Sequence, residues 1–219
     1  MTAKILAVTN QKGGCGKTMV AMQLAGGLSR YGRVLVVDAD AQATATRWAA
    51  SAPEDQPFPA VVTGLAAAGA KLHREVRKLL SDYDYILIDC PPSVDSPIPQ
   101  SAMLISDLAL IPIIPAPADL WATAGTRVLL EQAAVLNDGL RALLIPNMVP
   151  RTRLSDEVLA TLGDYDLPIA RAQLGQRTAY RESQAYGTTV HTLPRARDAV
   201  EEMEGLLLEV RAILDEVGN

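Results

Sequence analysis

Residues 5–18 read ILAVTNQKGGCGKT, and this stretch gives the strongest indication of the fold. Its first four residues form an apolar run typical of a buried strand, and three glycines follow before Lys17 and Thr18. Glycines let a backbone turn tightly enough that its N–H groups point at phosphate oxygens, and the start of a following helix adds a favourable dipole. The lysine supplies a cation, and the threonine hydroxyl can bind Mg²⁺. The stretch therefore predicts a strand, a phosphate-binding loop and a helix.

Apolar runs recur along the rest of the chain and alternate with segments of helical periodicity. The predicted strands are residues 5–8, 34–37, 85–88, 108–114 and 143–145, and the predicted helices are residues 19–30, 72–80, 122–136, 154–162 and 199–217. Residues 51–59 and 91–99 are predicted surface loops. Continuous apolar strands separated by helices are typical of a parallel sheet. We therefore expect one α/β domain over residues 1–219, with a mostly parallel central sheet and helices on both faces.

Composition excludes several classes of protein. The chain has 219 residues, of which 49% are hydrophobic and only 4% aromatic. The low aromatic content argues against modules that stack several bases on aromatic side chains. Two cysteines, Cys15 and Cys90, are too few for a metal cluster within one chain. The sequence has neither a signal peptide nor a long uninterrupted apolar segment, so we expect a reducing cytoplasm.

Carboxylates follow two further predicted strands. Asp38 and Asp40 lie at the end of the second, and Asp89 lies at the end of the third. Open α/β sheets bind ligands at the carboxyl ends of their strands, so these acids should lie beside the phosphate loop. Asp89 is then placed to hold Mg²⁺ through water. For Asp38 a second interpretation stays open, in which it caps the next helix.

Together these motifs resemble the ParA/MinD family of P-loop ATPases, closest to its small ParA-type partition proteins. The phosphate loop of that family reads KGGxGK followed by Ser or Thr, and residues 12–18 match it. Its additional first lysine is Lys12 in this chain. The resemblance runs over essentially all 219 residues and implies ATP or ADP and Mg²⁺ as ligands. One departure is Ala41, where the family usually has proline, so a looser turn is expected after Asp40.

The resemblance also implies a role for each residue of the site. The nucleotide-binding residues would be Lys12, Gly13, Gly14, Cys15, Gly16, Lys17, Thr18, Met19 and Asn147. Lys12, Lys17 and Asp40 would be catalytic, with Asp40 orienting the attacking water, and Thr18, Asp38 and Asp89 would organise the magnesium shell. Residues 115–121 are similar to the family's loop after its central strand. Asn147 would read the adenine edge, and an ordinary turn residue is an equally good interpretation of it.

Lys12 lies five positions before Lys17, too far along a tight loop to duplicate its role on the same phosphate. In the family this lysine reaches across a dimer interface to the ATP of the partner subunit. The resemblance thus implies a homodimer that ATP holds together and that hydrolysis releases. It also implies slow intrinsic turnover that a ParB- or ParG-like adaptor protein stimulates.

Charge is distributed unevenly along the chain. The formal net charge of −5 argues by itself against nucleic-acid binding. Residues 167–197, however, contain one glutamate and five arginines, which are Arg171, Arg177, Arg181, Arg195 and Arg197. Residues 198–219 contain seven acidic residues and one arginine. Arg177 and Arg181 share one face of a predicted helix, residues 176–186, that Gly187 ends. A solubilising surface and, by resemblance to ParA proteins, salt-sensitive non-specific DNA binding are both open.

The expected function is an ATP-dependent positioning ATPase. It would move plasmid, chromosome or protein cargo and would associate with the nucleoid when ATP is bound. Because the phosphate loop begins at residue 12, no N-terminal DNA-reading domain is expected. A MinD-like membrane switch is an alternative, but the acidic C-terminal segment lacks a basic amphipathic helix, so stable membrane binding is not expected. Further alternatives are a metabolic P-loop synthetase and a reductase resembling the nitrogenase iron protein, for which neither cysteine is free.

Overall fold

Six parallel strands build the central sheet of this computed structural model, which describes residues 3–92, 96–150, 152–162 and 167–216. They are β1 (Lys4–Val8), β2 (Val34–Asp38), β3 (Val61–Gly64), β4 (Tyr85–Asp89), β5 (Leu108–Ile113) and β6 (Arg141–Pro146). Their order across the sheet is β3-β2-β4-β1-β5-β6. Every strand pair is parallel, which confirms the predicted sheet.

Eight α-helices connect or cover the strands within the described residues. They are α1 (Lys17–Leu28), α2 (Thr44–Ala50), α3 (Leu72–Arg77), α4 (Ile98–Met103), α5 (Pro117–Ala134), α6 (Arg153–Leu162), α7 (Thr178–Ala185) and α8 (Arg197–Glu216). Short 3-10 turns occupy Ala66–Lys71 and Val190–Thr192. None of the helices in the described ranges is long and apolar enough to cross a membrane.

The helices form one layer on each face of the sheet. On one face α1, α2, α7 and α8 bury Met22, Trp48, Tyr180 and Leu207 against alternate strand residues. On the opposite face α3, α4 and α5 bury their own apolar side chains against the intervening strand residues. Since successive strand residues point to opposite faces, strands that are apolar throughout serve both layers. The predicted α/β class with helices on both faces is confirmed.

Three elements do not follow from the apolar pattern. The edge strand β3 is partly exposed, with Val61 53% exposed, and so carries no continuous apolar run. α2 is only seven residues long, too short for helical periodicity to be recognised. α4 begins at Ile98, so the predicted loop over residues 91–99 is wrong at its end, while residues 93–95 and 217 lie outside the described residues.

Strand register brings the predicted motifs to one edge of the sheet. Asp89 of β4 pairs with Val8 of β1 on one side and with Asp38 of β2 on the other. α1 leaves β1 on one face of the sheet, whereas α4 follows β4 on the opposite face. Adjacent parallel strands whose connections leave on opposite faces open a crevice at their carboxyl ends, where ligands of such sheets bind.

Gly187 ends α7 with a left-handed φ of +64°, and a Cβ at this position would collide with the backbone of Ser51 and Ala52. We expect Gly187→Ala to lower the free energy of unfolding by about 2–4 kcal/mol, because the backbone conformation and the collision both disfavour a side chain. Urea unfolding measures the effect. The control is Gly139→Ala, where the nearest atom is Asn137 Oδ1 at 3.7 Å and we expect a change within about 0.5 kcal/mol. Equal effects of the two substitutions would contradict the prediction.

Candidate functional site

The loop between β1 and α1 wraps around the ammonium group of Lys17. Gly14 and Gly16 have φ values of +76° and +91°, which glycine adopts without strain. Lys17 is 7% exposed, and its Nζ donates a hydrogen bond to the backbone oxygen of Lys12 at 2.9 Å. Gly16 precedes α1 without a side-chain cap, which leaves the first N–H groups of the helix directed at the loop interior. The loop and the helix start together form a pocket for an anion.

Both cysteines are buried beside this loop. Cys15 Sγ donates to the backbone oxygen of Lys12 at 3.3 Å. Cys90 follows Asp89 and donates to the backbone oxygen of Ile88 at 3.8 Å. Burial raises the pKa of the Cys90 thiol, and the charge of Asp89 raises it further. Cys90 is therefore a small, buried and unreactive side chain.

Asp89 and Thr18, two of the three residues predicted to organise a magnesium shell, are in direct contact. Asp89 is 1% exposed, and its Oδ2 accepts a hydrogen bond from Thr18 Oγ1 at 2.7 Å. Its second oxygen, Oδ1, is buried with no hydrogen-bond partner among the described residues. Burial raises the pKa of Asp89 to about 7, and the charge of Asp38 adds to the rise, while the Thr18 hydrogen bond opposes it. An unpaired carboxylate oxygen beside a threonine hydroxyl suits hydrated Mg²⁺, so the residues fit this ion.

Asp38 lies next to Asp89 but faces helix α2. Its Oδ2 accepts hydrogen bonds from both the N–H and the hydroxyl of Thr46, each at 2.8 Å. Its Oδ1 accepts from the N–H of Asp40 at 3.3 Å. Thr46 lies in the first turn of α2, so the helix-capping interpretation of Asp38 is confirmed. Its place in a magnesium shell stays a prediction.

The structure brings Asp40 into the same cleft as the loop. Asp40 Oδ1 accepts from the N–H of Gln42 at 2.9 Å, and its backbone oxygen accepts from the N–H of Ala43 at 2.9 Å. These two bonds close the turn around Ala41 without the proline that the family usually has. The cleft has a volume of about 290 Å³ and is lined by Gly14, Gly16, Lys17, Thr18, Met19, Asp40, Thr44, Trp48, Pro92, Met148 and Gln184.

Asn147 follows β6 and is completely buried. Its Nδ2 donates to the backbone oxygen of Cys15 at 2.7 Å, and Gly16 provides the space, because a Cβ there would collide with the carboxamide. Its Oδ1 has no partner within the described ranges. A second cavity of about 130 Å³ joins Asn147 with Met19, Met148 and α7. A carbonyl oxygen without a partner is of the type that accepts a hydrogen bond from the exocyclic amine of adenine.

Sequence reasoning missed cleft residues that come from distant elements. Trp48 of α2 is 2% exposed and donates from its indole to the backbone oxygen of Thr188 at 2.9 Å. Gln184 reaches the cleft from α7. No motif marks these two positions, because the folded chain alone brings α2 and α7 to the loop. Met148, next to Asn147, has a φ of +51°, a strained backbone conformation for which the sequence contains no signal.

Four of the five predicted arginines lie around the start of α7. Arg177, Arg195 and Arg197 line an open cavity of about 370 Å³, and Arg177 and Arg181 line the smaller cavity next to Asn147. Arg171 lies apart from them. Its backbone N–H donates to Glu209 of α8, about 16 Å along that helix from residue 198.

Acidic residues of α8 pair with part of this arginine surface. Arg177 donates from Nε and Nη2 to Glu202 Oε1 at 2.9 and 2.7 Å, and its Nη1 lies 3.0 Å from Asp198 Oδ2. The hydrogen bonds to Glu202 raise the pKa of Arg177 above its ordinary value. Arg197 pairs with Glu201 at the surface. The basic and acidic stretches of the sequence are therefore in contact, and the charge of the first is partly neutralised by the second.

Asp89 should make stability depend on pH in the nucleotide-free protein. Its native pKa of about 7 lies above its ordinary value of 3.8, so between these values the native state holds a proton that the unfolded chain has lost. Stability therefore falls as the pH rises from about 4 to about 7. Asp89→Asn removes this dependence. We expect it to unfold at a higher temperature than the wild type at pH 8 in EDTA, with a smaller difference at pH 5.

Thermal unfolding followed by circular dichroism checks this prediction. The control is Asp82→Asn at an exposed position, which should shift the midpoint equally at both pH values. An Asp89→Asn midpoint below that of the wild type at pH 8 would contradict it.

Comparisons with known proteins agree with this geometry. A profile of the CobQ/CobB/MinD/ParA nucleotide binding domain matches residues 6–194. The Maintenance of carboxysome distribution protein A of Halothiobacillus neapolitanus is 33% identical over 207 residues, covering 94% of this chain and 95% of that protein. The Chromosome-partitioning ATPase Soj of Thermus thermophilus is 33% identical over 186 residues, covering 72% of this chain and 74% of that protein.

Solved structures share the fold. An ATP complex of Cyanothece McdA superposes with a TM-score of 0.80 at 20% identity, covering 98% of this chain and 96% of that one. MinD of Pyrococcus horikoshii with Mg-ADP superposes with a TM-score of 0.75 at 24% identity, covering 95% of this chain and 96% of that one. With the profile matched over residues 6–194 and the phosphate loop in its strand–helix context, this chain belongs to the ParA/MinD family of P-loop ATPases.

Proposed function

We propose that this protein is a positioning ATPase whose two subunits are joined by ATP and separated by its hydrolysis. The loop contains two lysines, Lys12 and Lys17, and the ammonium group of Lys17 already occupies its interior. This observation carries the proposal. Lys17 fills the loop and bonds to the backbone oxygen of Lys12, while Lys12 lies half-buried at the start of the loop. Its position supports a role toward a phosphate other than the one that Lys17 binds.

The remaining residues have distinct tasks in this proposal. Lys17 and the N–H groups at the start of α1 bind the phosphates. Thr18 and Asp89 hold Mg²⁺, which neutralises charge that develops on the phosphoryl group. Asp40 orients the attacking water, and Asn147 accepts a hydrogen bond from the adenine amine. The buried, unpaired oxygens of Asp89 and Asn147 support these two assignments, since each lacks a partner among the described residues.

The cargo that we propose is a large protein assembly. The relative named for carboxysome distribution is matched by this chain over 95% of its length, whereas the relative named for chromosome partitioning is matched over 74% of its length. An adaptor protein on the cargo would stimulate hydrolysis. The apolar face of α8, including Met203, Leu207 and Leu214, is buried against the sheet side of the molecule. This burial argues against the MinD-like alternative, since that face of α8 cannot enter a bilayer.

We propose that the surface over which the cargo moves is nucleoid DNA, which the protein binds through the DNA phosphates without sequence preference. Arg181 and Arg195 are exposed, and neither has an ion pair within the described part of the chain. Arg177 is held by Glu202 and is better understood as a link between α7 and α8. Dimerisation would double the number of exposed arginines, which would make DNA binding depend on ATP.

Lys12→Ala should prevent ATP-dependent self-association and lower the rate of ATP hydrolysis by about 100-fold or more, because the second cation no longer reaches the phosphate. Size exclusion with ATP and a phosphate-release assay measure the two effects. Asp40→Ala is the matched comparison, and it should retain self-association while losing turnover. Unchanged association and hydrolysis in Lys12→Ala would exclude the proposed switch.

Charge reversal at Arg181 and Arg195 tests the DNA surface. We expect Arg181→Glu with Arg195→Glu to weaken ATP-dependent binding to plasmid DNA and to reduce the salt slope of binding by about 1 for each phosphate contact removed. Arg74→Glu with Arg77→Glu makes the same charge change on exposed positions of α3, across the sheet, and should bind like the wild type. Gel shifts over a salt series distinguish the variants. Equal binding by both would mean that this surface does not contact DNA.

A further inference from the structure

The side chain of Asn10 adds a hydrogen bond to β5 just beyond the point where the backbone pairing of β1 with β5 ends. The last ladder bond in this region runs from the N–H of Thr9 to the backbone oxygen of Leu110, at 2.9 Å. Two residues on, Pro112 has an oxygen to offer but no N–H to donate. Asn10 Nδ2 donates to that oxygen at 2.8 Å. The start of the phosphate loop is thereby attached to β5 through one side chain.

The other end of the same carboxamide holds Lys12. Asn10 Oδ1 accepts a hydrogen bond from the N–H of Lys12 at 3.0 Å. On the far side of this residue, its backbone oxygen accepts from Lys17 Nζ at 2.9 Å. Peptide units are planar, so holding the units before and after Lys12 restricts both of its backbone dihedrals. The direction in which the Lys12 side chain leaves the loop is therefore set by Asn10 and Lys17.

Gln11, between Asn10 and Lys12, packs against α5. A Cβ at Gly125 of α5 would collide with Oε1 of Gln11, so glycine at this position permits the close approach. α5 follows β5 in the chain, and both elements thus support the first residues of the loop. Asn10 attaches this segment to β5, and Gly125 leaves room for Gln11 to pack against α5.

Burial makes Asn10 costly unless both ends of its carboxamide are paired. It is 2% exposed, and both ends are paired as described. A leucine of similar size would fill the space without needing hydrogen-bond partners. We propose that Asn10 is a positioning residue for the ATPase reaction, one that sets the direction of Lys12 toward the second nucleotide of the dimer. This inference rests on the proposed role of Lys12.

Asn10→Ala tests the inference in the full chain. We expect ATP turnover to fall by about 10- to 100-fold, because a small misplacement of a reacting group has an effect of this size. ATP-dependent self-association should weaken in parallel. Affinity for a fluorescent ADP analogue, which reports on the single subunit, should change by less than about threefold, so that the loss appears in turnover rather than in nucleotide binding. The Lys12 amide should also exchange its hydrogen faster.

Asn137→Ala is the matched control. Asn137, like Asn10, makes two hydrogen bonds to the backbone through its carboxamide, here by donating from Nδ2 to the oxygens of Met103 and Ser106, but it follows α5 near the opposite end of the sheet. We expect this substitution to lower stability and to leave turnover unchanged. If Asn10→Ala does not fold, Asn10→Ser introduces a smaller cavity and is judged by the same measurements.

Lys12→Ala and the double variant separate the two hypotheses. If Asn10 acts through Lys12, adding Asn10→Ala to Lys12→Ala should produce no further loss of turnover. Losses that multiply in the double variant, or wild-type turnover in the folded Asn10 variants alongside impaired Lys12→Ala, overturn the inference and leave the proposed function standing. Wild-type turnover in Lys12→Ala overturns both.

Discussion

The parallel register of β1, β2 and β4 fixes where every other part of the site lies. It places Val8, Asp38 and Asp89 level with one another, so the chain segments that follow them leave the sheet from a single edge. Because α1 and α4 then turn to opposite faces, a crevice opens between β1 and β4. A one-residue slip in β4 would turn Asp89 to the other face and separate it from Thr18.

The phosphate loop has its shape because strands on one side of β1 hold it from outside. Asn10 attaches its start to β5, and Asn147 after β6 holds its middle through the backbone oxygen of Cys15. Inside the loop, the ammonium group of Lys17 donates a hydrogen bond to the backbone oxygen of Lys12. The glycines therefore permit this conformation, and side chains that lie more than 100 residues apart in the chain select it.

Helix α7 connects the nucleotide cleft with the arginine surface. Gln23, buried in α1, donates to Ser183 of α7 at 2.7 Å and accepts from the N–H of Val190 at 2.9 Å. Trp48 holds the segment after α7 in the same way. On its outer side α7 is tied to α8 by the bonds between Arg177 and Glu202. In the folded protein the positive charge of the arginine stretch is thus partly neutralised, because α8 places carboxylates beside Arg177.

The sequence predicts the α/β class, five of the six strands in the described residues and the glycine loop between β1 and α1, because apolar periodicity and a glycine-rich motif are local signals. It left undecided whether Asp38 caps a helix and whether Asn147 is more than a turn residue. The fold shows that Asp38 accepts hydrogen bonds from Thr46 of α2 and that Asn147 donates to the backbone oxygen of Cys15, contacts that no sequence pattern indicates. It also decided that Arg177 faces Glu202 and that Asn10 holds Lys12. Charge pairing and buried hydrogen bonds depend on which segments pack together, and packing is a property of the whole chain.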